Sequence, residues 1–332
     1  MTCQNRMLIM REIFKLYPVG KSYIWGGERL KNEFGKLLEI SPLAESWECS
    51  THPDGVSCAM FMDGTMVPLL ALLKENPHYL GSRCRASGEL PIIIKYIDAN
   101  ENLSVQVHPD DEYAMKYEAQ NGKNEFWYIV DTTEESEIVF GFEHPVTPQQ
   151  LRESIHEGDI EKHLHKVHPK SGDYFFVKAG TVHAIGRGNL IVEVQQTSNL
   201  TYRLYDYNRR DSNGKKRELQ IEKALDVLNY DVEIERIEKP KYVRYHNGFS
   251  EELLCDCAFF KVSKIVVARE FRFQVKNNSF TVFVCIHGMV NIADEDNNLL
   301  MKMSKGESVF VPADEAGELY LIGQAELLEV FI

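Results

Sequence analysis

Residues 103–109 read LSVQVHP and residues 122–130 read GKNEFWYIV, and these two runs decide the fold. If Leu103–His108 is a strand, its side chains alternate between two faces. Ser104, Gln106 and His108 then share one face, and Leu103, Val105 and Val107 share the other. Pro109 has no N–H for a sheet ladder, so the strand ends there with His108 at its rim. Lys123, Glu125 and Trp127 can share one face of a second strand. Residues 172–188, GDYFFVKAGTVHAIGRG, add a segment in which a strand meets a glycine turn and His183 follows at once.

On those strands Gln106, His108, Glu125 and His183 can form a four-ligand site for a divalent metal. Imidazole and carboxylate suit zinc, and such a site leaves room for water or substrate. Taken singly, each residue has a plainer explanation, since a lone histidine at a strand end is more often a hydrogen-bonded core or surface group. His183 is the best single candidate, because the pattern of Gly172, Asp173, Ala179 and Gly180 presents it inward.

The motifs QVHP at 106–109, KNE at 123–125 and GDYFFVKAGTVHAIGRGNLIVEVQQTSNLTYRLYDY from residue 172 stand in order along the chain. YIWGG at 23–27 and ESWECSTHP at 45–53 precede them. Together they closely resemble the type I mannose-6-phosphate isomerases, a zinc-dependent cupin family, in its short bacterial form. The resemblance spans Tyr23 to about Asp206. It implies a mainly β fold, a cupin-type double-stranded β-helix (jelly-roll) barrel with a few helices. It also implies a cytoplasmic aldose–ketose isomerase of mannose metabolism, an intramolecular oxidoreductase that interconverts D-mannose 6-phosphate and D-fructose 6-phosphate. One zinc per chain would sit on Gln106, His108, Glu125 and His183. Glu193, Lys123 and Arg203 would be catalytic, and Ser104 and Lys95 would bind substrate. Two positions depart from the family pattern. Asn124 stands where a proline is common, and Ile185 stands where longer members have a tyrosine.

The composition of the 332 residues is compatible with this. At 44% hydrophobic the chain can build a substantial core, and its length suits about two domains. A formal net charge of −13 argues against nucleic acid or an anionic membrane as partner. An anionic substrate therefore needs a local basic cluster, and Lys95, Lys123, Arg203 and Arg209 fall inside the motifs. Met1–Phe14 lacks an apolar core of signal-peptide length, and no stretch approaches a membrane span. The 7 cysteines include no CxxC pair, which fits reduced thiols in the cytoplasm. A monomer or weak homo-oligomer is expected.

Residues 12–60 suggest short strands and loops, with Tyr23, Trp25 and Trp47 as packing residues. Val67–Lys74 reads as a buried helix with Pro68 in its first turn. Leu90–Ala99 reads as a buried strand, and on sequence alone its Lys95 would snorkel towards solvent. Thr147, Pro148 and Gln150 make a capping box for a helix running towards His168. His163, His165 and His168 are rejected as a metal site, since helix positions two apart do not face each other. In Leu190–Val194 the apolar residues face a core, leaving Ile191, Glu193 and Gln195 on the opposite side. There Glu193 is either a structural acceptor or a working acid/base.

A further helix is expected within 217–229, on the spacing of Ile221, Leu225 and Leu228, followed by a charged linker. From Val243 the chain reads as short strands, with turns at Asn277–Asn278, Asp294–Asn298 and Ser304–Gly306. GESVFVPA from Gly306 aligns without gaps on GDYFFVKA from Gly172, which puts Gly317 at the position of His183. This faint repeat predicts a catalytic cupin domain over 1–238 and a metal-free, degenerate cupin-like β-barrel over 239–332. His287 then reads as a turn residue.

Isomerisation needs a base over the reacting carbon, an electrophile for the oxyanion and a grip on phosphate. Glu193 and Lys123 are the candidate bases, because burial and neighbouring charge can tune either group to work near neutrality. Arg203 offers fixed bidentate geometry to substrate charge. Two rival classes share the pattern: a cupin Fe(II) oxygenase and a non-catalytic sugar-binding cupin. Gln106 as a fourth ligand and the basic set argue against the first. The complete ligand set argues against the second.

Overall fold

The computed structural model describes residues 13–84, 89–211, 213–231, 242–313 and 317–332. The run Ile92–Asp98 is apolar almost throughout because the strand is buried on both faces. Ile92, Ile94 and Tyr96 enter one core with Phe126, Tyr128, Val192 and Val194, while Ile97 enters another with Trp127, Ile129 and Ile191. This strand lies inside a six-stranded sheet ordered Tyr174–Val177, Glu125–Asp131, Leu190–Gln196, Ile92–Asp98, Glu45–Cys49, Val19–Lys21. A five-stranded sheet faces it, ordered Leu164–Val167, Ile138–Phe142, His183–Ile185, Val105–Val107, Tyr202–Tyr205. All pairings in both are antiparallel. Ile138, Phe140 and Ile185 from the second sheet pack on Trp127, Ile129 and Ile191 from the first, giving the β-sandwich of a cupin.

The strand that carries Gln106 is shorter than expected. It covers Val105–Val107, and Leu103 lies before it, packed in the core between the sheets rather than on the face of Val105 and Val107. The capping box at Thr147 forms, but its helix is Pro148–Glu157 and does not reach His168. Gly158 at φ 80° adopts the left-handed cap that ends it. A 3₁₀ turn, Ile160–His163, and the strand Leu164–Val167 follow. The expected Val67–Lys74 helix begins instead at Leu69, with Pro68 as the residue before it, and Ile221–Val227 forms within 217–229. A helix at Asp111–Glu118, capped by Asp110, was not foreseen.

The C-terminal strands are longer than anticipated, with Thr281–Ala293 and Glu318–Phe331 running 13 and 14 residues. His287 lies inside the first of these, at a bulge beside Gly288 (φ 76°), and is not a turn residue. The repeat has the same local form in both copies. Gly172 (φ 89°) and Gly306 (φ 84°) turn the chain into the strands Tyr174–Val177 and Ser308–Val311.

The proposed boundary at 238/239, the charged linker, most of Met1–Phe14 and Cys3 lie outside the described residues. Phe14–Tyr17, Cys58–Met60 and Met66–Pro68, from the first part of the chain, complete the 11-stranded sheet of the C-terminal part. A buried polar knot ties the two parts further. Glu48 accepts from Lys36 Nζ (2.6 Å), Ser46 (2.6 Å) and Ser308 (3.0 Å), and Lys36 also donates to the Gly306 carbonyl. Tyr96 and Tyr128 donate across the same junction to the Cys285 carbonyl (2.9 Å) and Glu326 (2.6 Å).

Candidate active site

Strand register builds the site as two facing rows. Across the five-stranded sheet, His183 lies opposite Gln106, and Gln106 lies opposite Arg203. Across the six-stranded sheet, Trp127 lies opposite Glu193, Glu193 opposite Lys95, and Lys95 opposite Trp47. Glu125 shares a face with Trp127 because the two are two residues apart in one strand. His108 is held just beyond its strand, where its carbonyl accepts from Gly180 N (2.9 Å). Gly180 has φ 88°, a left-handed conformation that suits glycine, and a Cβ there would meet the Val227 carbonyl at 3.1 Å.

His108, Glu125 and His183 are buried, and each offers a ligand atom within 4.8 Å of the others'. The His108 Nδ1–H donates to the Leu200 carbonyl (2.7 Å), and the His183 Nδ1–H donates to the Thr181 carbonyl (2.9 Å). Both Nε2 atoms are thereby left as bare acceptors aimed at one point, the arrangement by which metal-ligating imidazoles are oriented. Glu125 Oε1 lies 3.1 Å from His108 Nε2, and Oε2 lies 3.8 Å from His183 Nε2. Gln106 adds an amide 3.3 Å from His183 Nε2. A half-turn of that amide presents its oxygen to the same point, with the Ser104 hydroxyl, now 3.3 Å from Oε1, accepting instead. Two imidazoles, a carboxylate and an amide oxygen are a fitting donor set for zinc.

Beside this cluster stands a second charged group. Glu193 Oε1 is 3.0 Å from Lys95 Nζ, which also lies 4.0 Å from Glu45 and over the Trp47 ring. Lys95 is buried and does not snorkel outwards. Burial opposes its charge, but Glu193 and Glu45 outweigh burial and raise its pKa. Burial and the Glu125 charge raise the Glu193 carboxyl above the usual carboxylate range. Glu125 is buried too, yet Lys123 (2.6 Å from Oε1) and His108 hold it well below that range. Arg203 makes no side-chain hydrogen bond or ion pair among the described residues, and its Nε is buried without a partner.

A cleft of about 130 Å³ opens onto these groups, lined by Lys95, Ser104, Gln106, Lys123, Glu193 and Arg203. A larger groove of about 560 Å³ beside Tyr174, Glu252 and Cys255 holds no metal-ligand cluster among the described residues. Arg209 is turned away from the cleft and pairs with Asp206 and the Asn102 carbonyl. His163 is held by His144 (3.1 Å) and Ser154 (2.8 Å), and His165 by Glu143 (2.6 Å).

The chain matches the family profile for the type I phosphomannose isomerase catalytic domain over residues 13–150. It matches the mannose-6-phosphate isomerase cupin domain over residues 250–332. It is 34% identical over 316 residues to mannose-6-phosphate isomerase ManA of Bacillus subtilis, covering 94% of this chain and 96% of that one. The chain belongs to the type I mannose-6-phosphate isomerases. A family member from Streptococcus mutans is 44% identical over 205 residues, 62% of this chain and 64% of that one. The crystal structure of the mannose 6-phosphate isomerase from Bacillus subtilis superposes with a TM-score of 0.88 at 31% identity, covering 97% of this chain and 100% of that one.

Both departures from the family pattern acquire a setting. Asn124 N and Nδ2 donate to Gln196 Oε1 (2.9 and 2.7 Å), and its Oδ1 accepts from Ala179 N (2.9 Å). Asn124 thus ties the turn before His183 to two strands, which a proline could not do. Ile185 lines the cleft, where the stacked rings of Tyr23 and Trp25 (5.3 Å apart) supply the aromatic wall. Sequence reasoning treated Tyr23, Trp25 and Trp47 as packing alone and passed over Glu45 and Arg217. The alternation of Glu45 and Trp47 was the signal for the first of these.

The histidines also set an expected acid response. Burial first, then the nearby Lys123 charge, depresses His108 to about 3, and burial depresses His183. Below the ordinary value of 6.5 the unfolded chain therefore binds protons that the fold excludes. Stability of the metal-free protein should hold above that value and fall as pH drops below it. Glu193, with a raised pKa, acts in the opposite sense nearer the carboxylate range. Urea unfolding of metal-free protein at about pH 7 and about pH 5 tests this, and a midpoint no lower at the acid pH contradicts it.

Proposed function

We propose that the cleft converts D-mannose 6-phosphate to D-fructose 6-phosphate and back, with one zinc per chain on Gln106, His108, Glu125 and His183. The observation that carries this reading is the placing of a clamped carboxylate, Glu193, beside a convergent His–Glu–His cluster. A zinc ion bound there would supply Lewis-acid stabilisation to the substrate oxyanion.

In the open-chain sugar, Glu193 takes the proton from C2, and the freed electron pair forms the C1–C2 double bond of an enediolate. The same proton is returned to C1 while the O2 hydroxyl proton passes to O1, which leaves a hydroxyl at C1 and a carbonyl at C2. Lys95 keeps Glu193 oriented for both transfers. Lys123 neutralises Glu125 and reaches the cleft, so it remains the rival proton carrier. Arg203 has no acidic partner to give up and is free to take the charge of the substrate, with Ser104 and Lys95 binding its oxygens.

The site is complete within one chain, which supports a monomer or weak homo-oligomer. No described helix is long and apolar enough to cross a membrane. Cys49, Cys58, Cys255, Cys257 and Cys285 carry free thiols, which supports a cytoplasmic setting. Residues 239–332 are proposed as a metal-free scaffold domain.

The deciding experiment is isomerase activity on mannose 6-phosphate before and after a chelator, then with zinc restored, in air and without oxygen. Activity lost and regained with zinc, and indifferent to oxygen, is expected. Full activity without metal overturns the metal assignment, and a requirement for oxygen overturns the reaction class.

A further inference from the structure

Trp127 sits between the two charged groups of the site. It is fully buried, and its indole Nε1 lies 3.1 Å from Glu125 Oε2 and 3.1 Å from Glu193 Oε2. Register explains the double contact, since Glu193 is its cross-strand partner and Glu125 its neighbour on the same face. Indole has one N–H and no acceptor, so one proton is shared between two carboxylates. No other hydrogen bond to either Oε2 forms among the described residues. The ring also meets His183 edge-on, with centroids 5.4 Å apart at 73°.

A large ring in this core needs no explanation beyond packing, because Ile129, Phe140, Phe175 and Ile191 share its cluster. Packing alone, however, would be served by phenylalanine. The N–H is the part that packing leaves unexplained, and burying it without a partner would carry a penalty.

We propose that Trp127 is a positioning residue whose single indole N–H couples metal seating at Glu125 to the orientation of Glu193. When Glu125 is drawn onto the metal, its far oxygen holds the indole in place, and the indole holds Glu193 over the reacting carbon. This rests on the roles given above to Glu125 and Glu193.

The test replaces Trp127 with benzothienylalanine, which keeps the shape of the ring and puts sulfur where the N–H was. Trp127→Phe is the second variant. Zinc affinity of the metal-free protein is measured against a competing chelator, separately from turnover of the zinc-loaded enzyme. The isosteric variant should bind zinc about tenfold more weakly. Its kcat should fall by about tenfold or more with KM within about twofold. Trp127→Phe should follow the same pattern, and the isosteric variant should still melt cooperatively, somewhat below the wild-type temperature because two buried carboxylate oxygens lose their donor. Wild-type affinity and kcat in the isosteric variant would reduce Trp127 to a core filler. A change in only one of the two would overturn the coupling. If the wild type shows no isomerase activity, the functional reading fails, while the affinity measurement alone still decides whether the N–H seats the metal.

Discussion

Glu193→Gln should lower kcat on mannose 6-phosphate by about 10³-fold, within the range that positioned acid/base groups contribute, and leave zinc bound. The amide is nearly isosteric and can still accept from Trp127, so the proposed metal ligands are undisturbed. It cannot take a proton from carbon at neutral pH. Lys95 would then face an amide at the place of its 3.0 Å partner, with Glu45 at 4.0 Å as its remaining counter-charge. Some stability is therefore lost as well, about 1–3 kcal/mol, as when a buried charged group loses a hydrogen-bond partner. Steady-state kinetics with metal analysis of the purified variant checks both parts. A kcat within about tenfold of wild type would assign the proton to Lys123 instead, because no catalytic base would have been removed.

The second large effect separates the proposed ligand His108 from His163. His108→Ala should leave the protein with little zinc and with activity reduced at least 10²-fold, more than loss of an outer-shell partner. His108 supplies Nε2 to the cluster and is oriented by the Leu200 carbonyl, so no neighbouring group replaces it. His163→Ala should retain zinc and turnover and lose only stability, since its ring bridges His144 and Ser154 away from the cleft. Zinc content and kcat/KM of the two variants side by side decide the matter. Retention of zinc by His108→Ala, or its loss in His163→Ala, would move the metal site.

The site was more legible in the sequence than the architecture around it. Period-two alternation placed Gln106 opposite Val105 and Val107, and Glu193 with Ile191 and Gln195 opposite Leu190, Val192 and Val194, as the strands have them, while His108 reaches the cluster from just beyond its strand. The Thr147 capping box was readable because its chemistry is local. Errors arose where long-range contact decides. Leu103 leaves the alternation because its N–H pairs with the Ile185 carbonyl before the ladder begins. The helix expected to reach His168 stops because Gly158 adopts a left-handed conformation and the following segment finds a strand partner in Ile138–Phe142. Lys95 read as a snorkelling side chain because Glu45, its second acid, lies about fifty residues earlier in the chain and meets it only across a sheet. His287 read as a turn because the bulge that holds it forms only against Glu318–Phe331.

The strand Phe14–Tyr17 has a bearing on how this chain is made. It lies between Cys58–Met60 and Ser308–Val311, and its Lys15 pairs with Glu307, 292 positions further on. At ribosomal rates of about 5–20 residues per second, one edge of that strand waits roughly 15–60 seconds for its partner to be synthesised. During that interval it presents unpaired N–H and C=O groups next to apolar Phe14 and Leu16, the kind of edge that templates association with other chains. Native structure around Phe14–Tyr17 thus depends on Ser308–Val311 emerging. Nascent chains stalled before residue 308 should consequently engage chaperones or aggregate, however well the residues of the cleft have already come together.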